Sequence, residues 1–250
     1  LVTPMDESGT GAAGYLCLFR DISDRKQAEL AITQANKKIS LLTSITSHDL
    51  SNQILTLSIY LELSRDLCTD PLQKGYIERQ EMAVNAMCEQ IAFTREYQQL
   101  GTERPLWQNV DSVIKRAQDH VDHRNIMFTG STGSLEVYAD PMFEKVFFNL
   151  FDNAIKYGGA GLSSITISTR PSGNDLIIVV EDDGTGIATE NKTRLFERGF
   201  GKNTGLGLYL SREILAITDI MILEAGEPGF GARFECRVPC GKFRYNGSRL

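Results

Sequence analysis

Four short segments in the second half of the chain carry residue types able to hold a nucleotide. In NLFDNAIKY, Asn149, Asn153, Lys156 and Tyr157 fall at helical spacings of four, three and one. Amide oxygens can complete a magnesium shell, and the Lys156 ammonium can reach phosphate. In EDDGTGI, directly after an apolar run, Gly184 and Gly186 allow a tight turn beside a ligand. Asp182 can accept a hydrogen bond there from an adenine amino group. The third segment, GFGKNTGLGL at 199–208, leads into a predicted helix, where free N–H groups and the positive end of the dipole cradle phosphate. The fourth, GFGARF at 229–234, is by itself only a turn. Taken singly these are weak signals: two Asn on a helix are usually surface polar residues, and glycine turns at strand ends are common.

A nucleophile can be sought in the first half, in TSHDLSNQI. At about 100° per residue His48 lies roughly 200° from Leu50, so His48 faces solvent when Leu50, Ile54, Leu57 and Leu61 face a core. A neutral imidazole nitrogen can attack a phosphoryl group, and Asp49 beside it can accept the other ring proton and raise the ring's basicity. Asn52, one turn on, shares nearly the same face, where its amide can orient water; an ordinary exposed Asn is equally compatible with that spacing. His120 and His123 form an HxxH pair with no Cys or carboxylate cluster nearby, and read as surface residues.

The elements that must position these groups follow from periodicity. Residues 14–22 read as a strand running into a helix. From about 24 to 65 no Pro or Gly interrupts the chain, and an apolar stripe recurs at helical spacing. The segment CTDPLQKG, 68–75, turns the chain, and a second helix follows with Tyr76, Ala83, Met87 and Ile91 on one face. Such a hairpin cannot bury both stripes alone, which predicts a homodimer closed as a four-helix bundle. Beyond Gly101 and Pro105 the pattern changes. Helices are predicted over 111–122, 141–157 and 206–218, and strands over 125–129, 135–139, 164–170, 176–181, 220–224 and 232–238. These runs predict an α/β sandwich, with helices covering one face of a mixed sheet. The fold class is therefore α+β.

The 250 residues are 42% hydrophobic and 23% charged, ample for a core and for more than one folded unit. A net charge of −6 without a Lys/Arg stripe argues against a nucleic-acid partner. Apolar runs are strand-sized, so no membrane contact is expected within the chain. Five cysteines with no CxxC pair read as reduced thiols of a cytoplasmic protein. The chain begins at Leu1 and reads as part of something longer, which leaves membrane attachment to the upstream sequence.

In this order and at these spacings the four segments resemble the N box and glycine boxes of sensor histidine kinases, with LFERGF at 195–200 as the intervening Phe box. HDLSNQI resembles the H box in its Asp-after-His variant, without the Pro that commonly follows. The resemblance implies an ATP-binding sandwich of the kind shared with gyrases and heat-shock chaperones. It assigns Asn149 and Asn153 to magnesium and phosphates, Asp182 to adenine, and Gly184, Gly186, Gly205 and Gly207 to the nucleotide's lining. Lys156, Tyr157, Ile187, Lys202, Leu206 and Leu208 complete the ATP site. It makes His48 the phosphoacceptor, Asp49 its base and Asn52 a phosphatase residue, with a response-regulator receiver domain as partner. The segment GYLCLFRDISDRKQAE resembles the end of a PAS sensor domain running into a signalling helix, implying an upstream sensor domain.

The expected organisation is a PAS remnant at 1–23, the signalling helix and phosphoacceptor hairpin at 24–101, a linker at 102–109, the catalytic domain at 110–241 and a tail at 242–250. Two other classes share such a pocket: an ATPase conformational machine of the gyrase or chaperone type, and a nucleotide-binding scaffold without kinase activity. The machines place a Glu where Asn149 stands, and an amide cannot activate water.

Overall fold

The computed structural model describes residues 2–5, 14–17, 23–122, 126–201 and 204–246. The chain divides into two compact units, Leu1–His48 and Asp49–Leu250. In the first, β1 (Val2–Met5) pairs antiparallel with β2 (Gly14–Cys17) in a register that sets Val2 opposite Cys17. Residues 18–22 of the expected strand lie outside the described residues.

Helix α1 (Ser23–Leu67) begins in the first unit and continues into the second. Its 45 residues contain no Pro or Gly, with Asp24 in the first turn and Arg65 in the last, both favourable to the helix dipole. Thr43, Thr46, Thr56, Ser58 and Ser64 each donate to the carbonyl four residues back.

Helix α2 (Pro71–Gln99) starts earlier than its sequence suggests, so the turn is only 68–70. Pro71 begins the helix, because proline's fixed φ suits the first helical position. The Asp70 carboxylate caps it by accepting from the Leu72 N–H at 3.0 Å. Gly75 is therefore inside the helix, with open space where a side chain would project. Asp70→Ala is expected to cost about 1 kcal/mol, and Gly75→Ala to gain roughly half to one, in urea unfolding of the chain.

Ile54 and Leu61 of α1 bury against Val84 of α2, with Ile77 and Ile91 alongside. Arg65 pairs with Glu81 at 3.2 Å and Arg95 donates to Ser51 at 3.0 Å, tying the two helices near opposite ends of their contact. Of the expected stripe, Ile54 and Leu61 are buried this way. Leu50 and Leu57 remain 42% and 45% exposed. Among the described residues no helix is long and apolar enough to cross a membrane.

The remainder is a layered α/β structure. Five strands, β4 (Met127–Thr129), β6 (Ser164–Ser172), β7 (Asp175–Asp182), β9 (Arg233–Val238) and β8 (Met221–Glu224), form a sheet in the order β4-β6-β7-β9-β8. Only the β4–β6 pair is parallel. Helices α3 (Val110–Asp119), α4 (Phe143–Tyr157) and α6 (Gly207–Ala216) supply the apolar layer, and Phe143, Phe147 and Phe151 of α4 are fully buried in it. These three recur every four residues, which keeps them on one stripe and puts Asn149 and Asn153 to one side of it.

Strand β7 is buried on both faces. Its outward residues Ile177 and Val179 lie level with Arg170, Arg237 and Glu235 of the flanking strands, where long charged side chains cover apolar neighbours. On β9, burial pushes the Cys236 thiol up to about 12, leaving it an inert core residue.

Two strands fall in segments that read as linker and tail. β3 (Leu106–Asn109) and β10 (Phe243–Tyr245) flank β5 (Leu135–Ala139) in a second, three-stranded antiparallel sheet. Both are too short to show an alternating pattern. They are held by partners far along the chain: buried Gln108 donates to the carbonyls of Ala139 and Asp140, and Arg244 reaches Glu136 at 2.6 Å and lies over Trp107.

Candidate functional site

The C-terminal end of α4, the end of β7, the loop before α6 and the turn before β9 converge on one cleft of about 590 Å³, a size suited to a nucleotide. Asn149, Asn153, Lys156 and Tyr157 line it from α4, and Asp182, Gly186 and Ile187 from β7 and its loop. Gly205, Leu206, Gly207 and Leu208 close it at the start of α6. Residues read as one set from four local motifs, from Asn149 to Phe234, thus share a single cavity.

Asp182 sits at the floor, 8% exposed. Its Oδ1 accepts from the N–H groups of Gly184 at 2.9 Å and Ala232 at 3.1 Å, leaving Oδ2 available to a ligand. Burial raises the carboxyl above its ordinary value, against the lowering effect of those two bonds. The Ala232 bond depends on Gly231, whose φ is +97° and whose α-carbon packs so tightly that a β-carbon would overlap the Asp182 carbonyl oxygen. The GFG segment that looked like a mere turn is therefore part of what orients Asp182. Gly184 does not line the cleft: it packs on Gly158 and supplies an N–H to Asp182. Next door, Asp183 accepts from the backbone and hydroxyls of Ser163 and Ser164, which hold its carboxyl far below the usual carboxylate range and fasten the end of β7 to β6.

Asn149 is 7% exposed, and its amide nitrogen donates to the Gly207 carbonyl at 2.9 Å and the Ser211 hydroxyl at 3.0 Å. Lys156 is paired within its helix with Asp152 at 2.8 Å, and that bond raises its pKa. The loop ahead of α6 needs Gly205, whose φ of +60° and contact with Phe200 backbone exclude a side chain. Lys202 lies outside the described residues.

The segment from Ile187 to Thr204 contains a short helix that the sequence does not announce, α5 (Thr189–Lys192). Phe196 anchors the segment edge-on against Phe234. Lys192 reaches down to the Gly226 carbonyl and to Glu224, whose side chain is wholly buried. Glu224 Oε2 has no aligned hydrogen-bond donor, so the Lys192 ammonium 2.7 Å away is what compensates its charge. Lys192→Met should free this segment, costing about 2 kcal/mol locally, and show as faster amide exchange over residues 189–200.

Helix α2 forms an outer wall of the cleft, a feature with no sequence signature. Glu89, Phe93 and Glu96, on one helical face, line it. Thr204 donates to Glu89 at 3.1 Å, Lys145 pairs with Glu96 at 2.6 Å, and Phe93 and Tyr97 pack against Tyr209. Asp49 and Asn52 are exposed on α1 and do not line the cleft. His48 is likewise exposed on α1, as its helical phase predicts. His120 contacts Glu144 at 3.3 Å on the surface, and His123 lies outside the described residues.

Residues 139–242, which hold all of this cleft's lining apart from that of α2, match the family described as histidine kinase-, DNA gyrase B-, and HSP90-like ATPase. Aligned over 90% of its length, the chain is 26% identical to the sensor histidine kinase RcsC of Salmonella typhimurium, and covers 26% of that protein. Over 93% of its length it is 26% identical to the sensor-like histidine kinase SenX3 of Mycolicibacterium smegmatis, covering 67% of it. The crystal structure of full-length ShkA in complex with AMPPNP shares the fold, with a TM-score of 0.57 over 84% of this chain and 47% of that one at 19% identity. Segment 139–242 is thus similar to the ATPase domains of this family. With the helical region ahead of it, the chain is similar to sensor histidine kinases, and it spans about a quarter of the length of RcsC.

Proposed function

We propose that this chain binds ATP with magnesium in the cleft, phosphorylates its own His48, and passes the phosphoryl group to an aspartate of a response-regulator receiver domain. The observation that carries this reading is the cleft itself: a buried carboxylate with a spare oxygen, a side-chain amide whose nitrogen is already engaged, and a glycine loop opening a helix, all facing one cavity. Asp182 accepts from the adenine amino group, and the N–H groups at the start of α6 face the phosphates.

The donor set suits magnesium. Among the described residues no group of three or more His, Cys, Asp or Glu could hold a metal ion. Magnesium instead favours a few protein oxygens together with substrate phosphates, and the Asn149 and Asn153 oxygens provide the former. Bound there, it would neutralise phosphate charge. With Lys156 held by Asp152, the Asn pair has the nearer claim to that end of the nucleotide.

In the chemical step, the lone pair of a neutral His48 ring nitrogen forms the N–P bond to the γ-phosphorus. The bond to the β–γ bridging oxygen breaks and ADP leaves with that electron pair. Asp49 accepts the proton from the other ring nitrogen. In relay, an aspartate oxygen of the regulator attacks phosphorus and the N–P bond breaks, restoring the imidazole. Asn52, one turn from His48, orients water for attack on the regulator's aspartyl phosphate, which breaks the O–P bond and releases inorganic phosphate. A homodimer is favoured by the apolar residues still exposed on the hairpin, among them Leu50, Leu57 and Leu63 on α1 and Met82 and Met87 on α2.

The catalytic domain is read as 106–246 rather than 110–241, because β3 and β10 both pair with β5. Residues 1–23 are read as the end of a PAS-like sensor. Incubation with γ-labelled ATP and magnesium tests the whole reading: a label on protein stable to alkali and labile to acid is expected. ATP turnover without such a label would point instead to an ATPase machine, and neither signal to a scaffold.

A further inference from the structure

Ser211 lies on α6 one turn after Gly207, is completely buried, and is not part of the cleft's lining. Its hydroxyl donates to the Gly207 carbonyl at 3.0 Å, and the same hydroxyl oxygen faces the Asn149 amide at 3.0 Å. A hydroxyl has one proton. With that proton directed to Gly207, the oxygen offers only lone pairs, so the Asn149 group facing it must be the N–H donor. The Gly207 carbonyl, 2.9 Å from the same nitrogen, makes the same demand. An Asn149 amide turned by 180° would set its oxygen against the Gly207 carbonyl oxygen, and the Ser211 proton could meet it only by leaving Gly207, so three hydrogen bonds would be reduced to one.

We propose that Ser211 is a positioning residue for the nucleotide-bound divalent cation, acting through Asn149 by holding the amide with its oxygen toward the cleft. This rests on the reading of Asn149 as a magnesium-holding residue. Groups behind a metal ligand commonly matter nearly as much as the ligand, because they fix which of its atoms is presented. Here the device is a relay of directed protons, from Ser211 to Gly207 and from Asn149 to both, with no charge involved. Asn149 keeps the Gly207 carbonyl when Ser211 is removed, so the amide loses one of two constraints rather than all of its orientation.

The test is calorimetric titration of the whole chain with AMPPNP, with magnesium and with chelator, for the parent, Ser211→Ala, Asn149→Ala and the double variant. The quantity read is the gain in affinity on adding magnesium. Ser211→Ala should reduce that gain about tenfold and leave metal-free affinity unchanged. In the Asn149→Ala background the same change should do nothing further, since its effect passes through that amide. A magnesium gain equal to the parent's overturns the proposal. So does an equal fall in affinity with and without metal, which marks a purely structural role. If the parent itself shows no magnesium gain, the reading of Asn149 fails first and the proposal with it. Should Ser211→Ala not fold, Ser211→Cys, close in size and a much weaker hydrogen-bonding group, reads the same ratio.

Discussion

In the His48→Gln variant, incubation with γ-labelled ATP and magnesium is expected to leave the protein without acid-labile label, while its affinity for ATP is unchanged. Glutamine retains length and polarity on the exposed face of α1, but its amide nitrogen has a delocalised lone pair and is no nucleophile. The effect should therefore be a loss of the acceptor with no loss of the site. The two halves separate because His48 is exposed on α1, whereas Asn149, Asp182 and the loop before α6 line the cleft proposed for the nucleotide. Label retained by His48→Gln would place the acceptor elsewhere and remove the argument from helical phase. Substituting Asp49→Asn is the natural companion, expected to slow labelling through loss of the proton acceptor without abolishing it.

Asp182→Asn is expected to weaken ATP binding about 100-fold, the range for a hydrogen bond to a charged group at a desolvated position. The conservative change keeps an oxygen for the Gly184 and Ala232 N–H groups and so preserves the local fold. It then presents an NH₂ group to an adenine NH₂ group, so two donors meet. The same residue gives a pH signature with a definite sign. Burial raises the Asp182 carboxyl above its ordinary 3.8, and the ionised form is the better acceptor. ATP affinity should accordingly be full above the raised value and fall as pH drops through it, starting at a higher pH than an ordinary aspartate allows. Asp182→Asn should lack that component of the profile. Titration calorimetry across the acid range reads both, and a variant that binds as tightly as the parent would disconnect Asp182 from adenine.

Much of this chain is legible one segment at a time. The uninterrupted run after residue 23 becomes α1, the four-residue recurrence of Phe143, Phe147 and Phe151 becomes the buried stripe of α4, and the hairpin at Gly173 joins β6 to β7. These follow from interactions within a few residues, where helical or strand periodicity is imposed by backbone geometry. The motif residues Asn149, Asn153, Asp182, Gly205 and Gly207 were legible for a related reason: each group lies on one element or one turn, so residue type and spacing are recorded together.

What only tertiary structure decided are the pairings between distant segments. Asp182 takes a bond from Ala232, 50 residues on, across a gap that only the glycine at 231 permits. Asn149 is oriented by Ser211, 62 residues on, and nothing local distinguishes that serine from any other buried helix residue. Lys156, able by spacing to serve phosphate, lines the cleft and also pairs with Asp152. The strands β3 and β10 exist because β5 has two edges to satisfy, and the outer wall of the cleft exists because Phe93 and Tyr97 of α2 find Tyr209. Sequence by itself thus determined which groups can do the chemistry and the elements that carry them. The orientation of those groups was left to packing, since a hydrogen bond's direction depends on the partner that folding brings within 3 Å and not on the residues beside it in the chain.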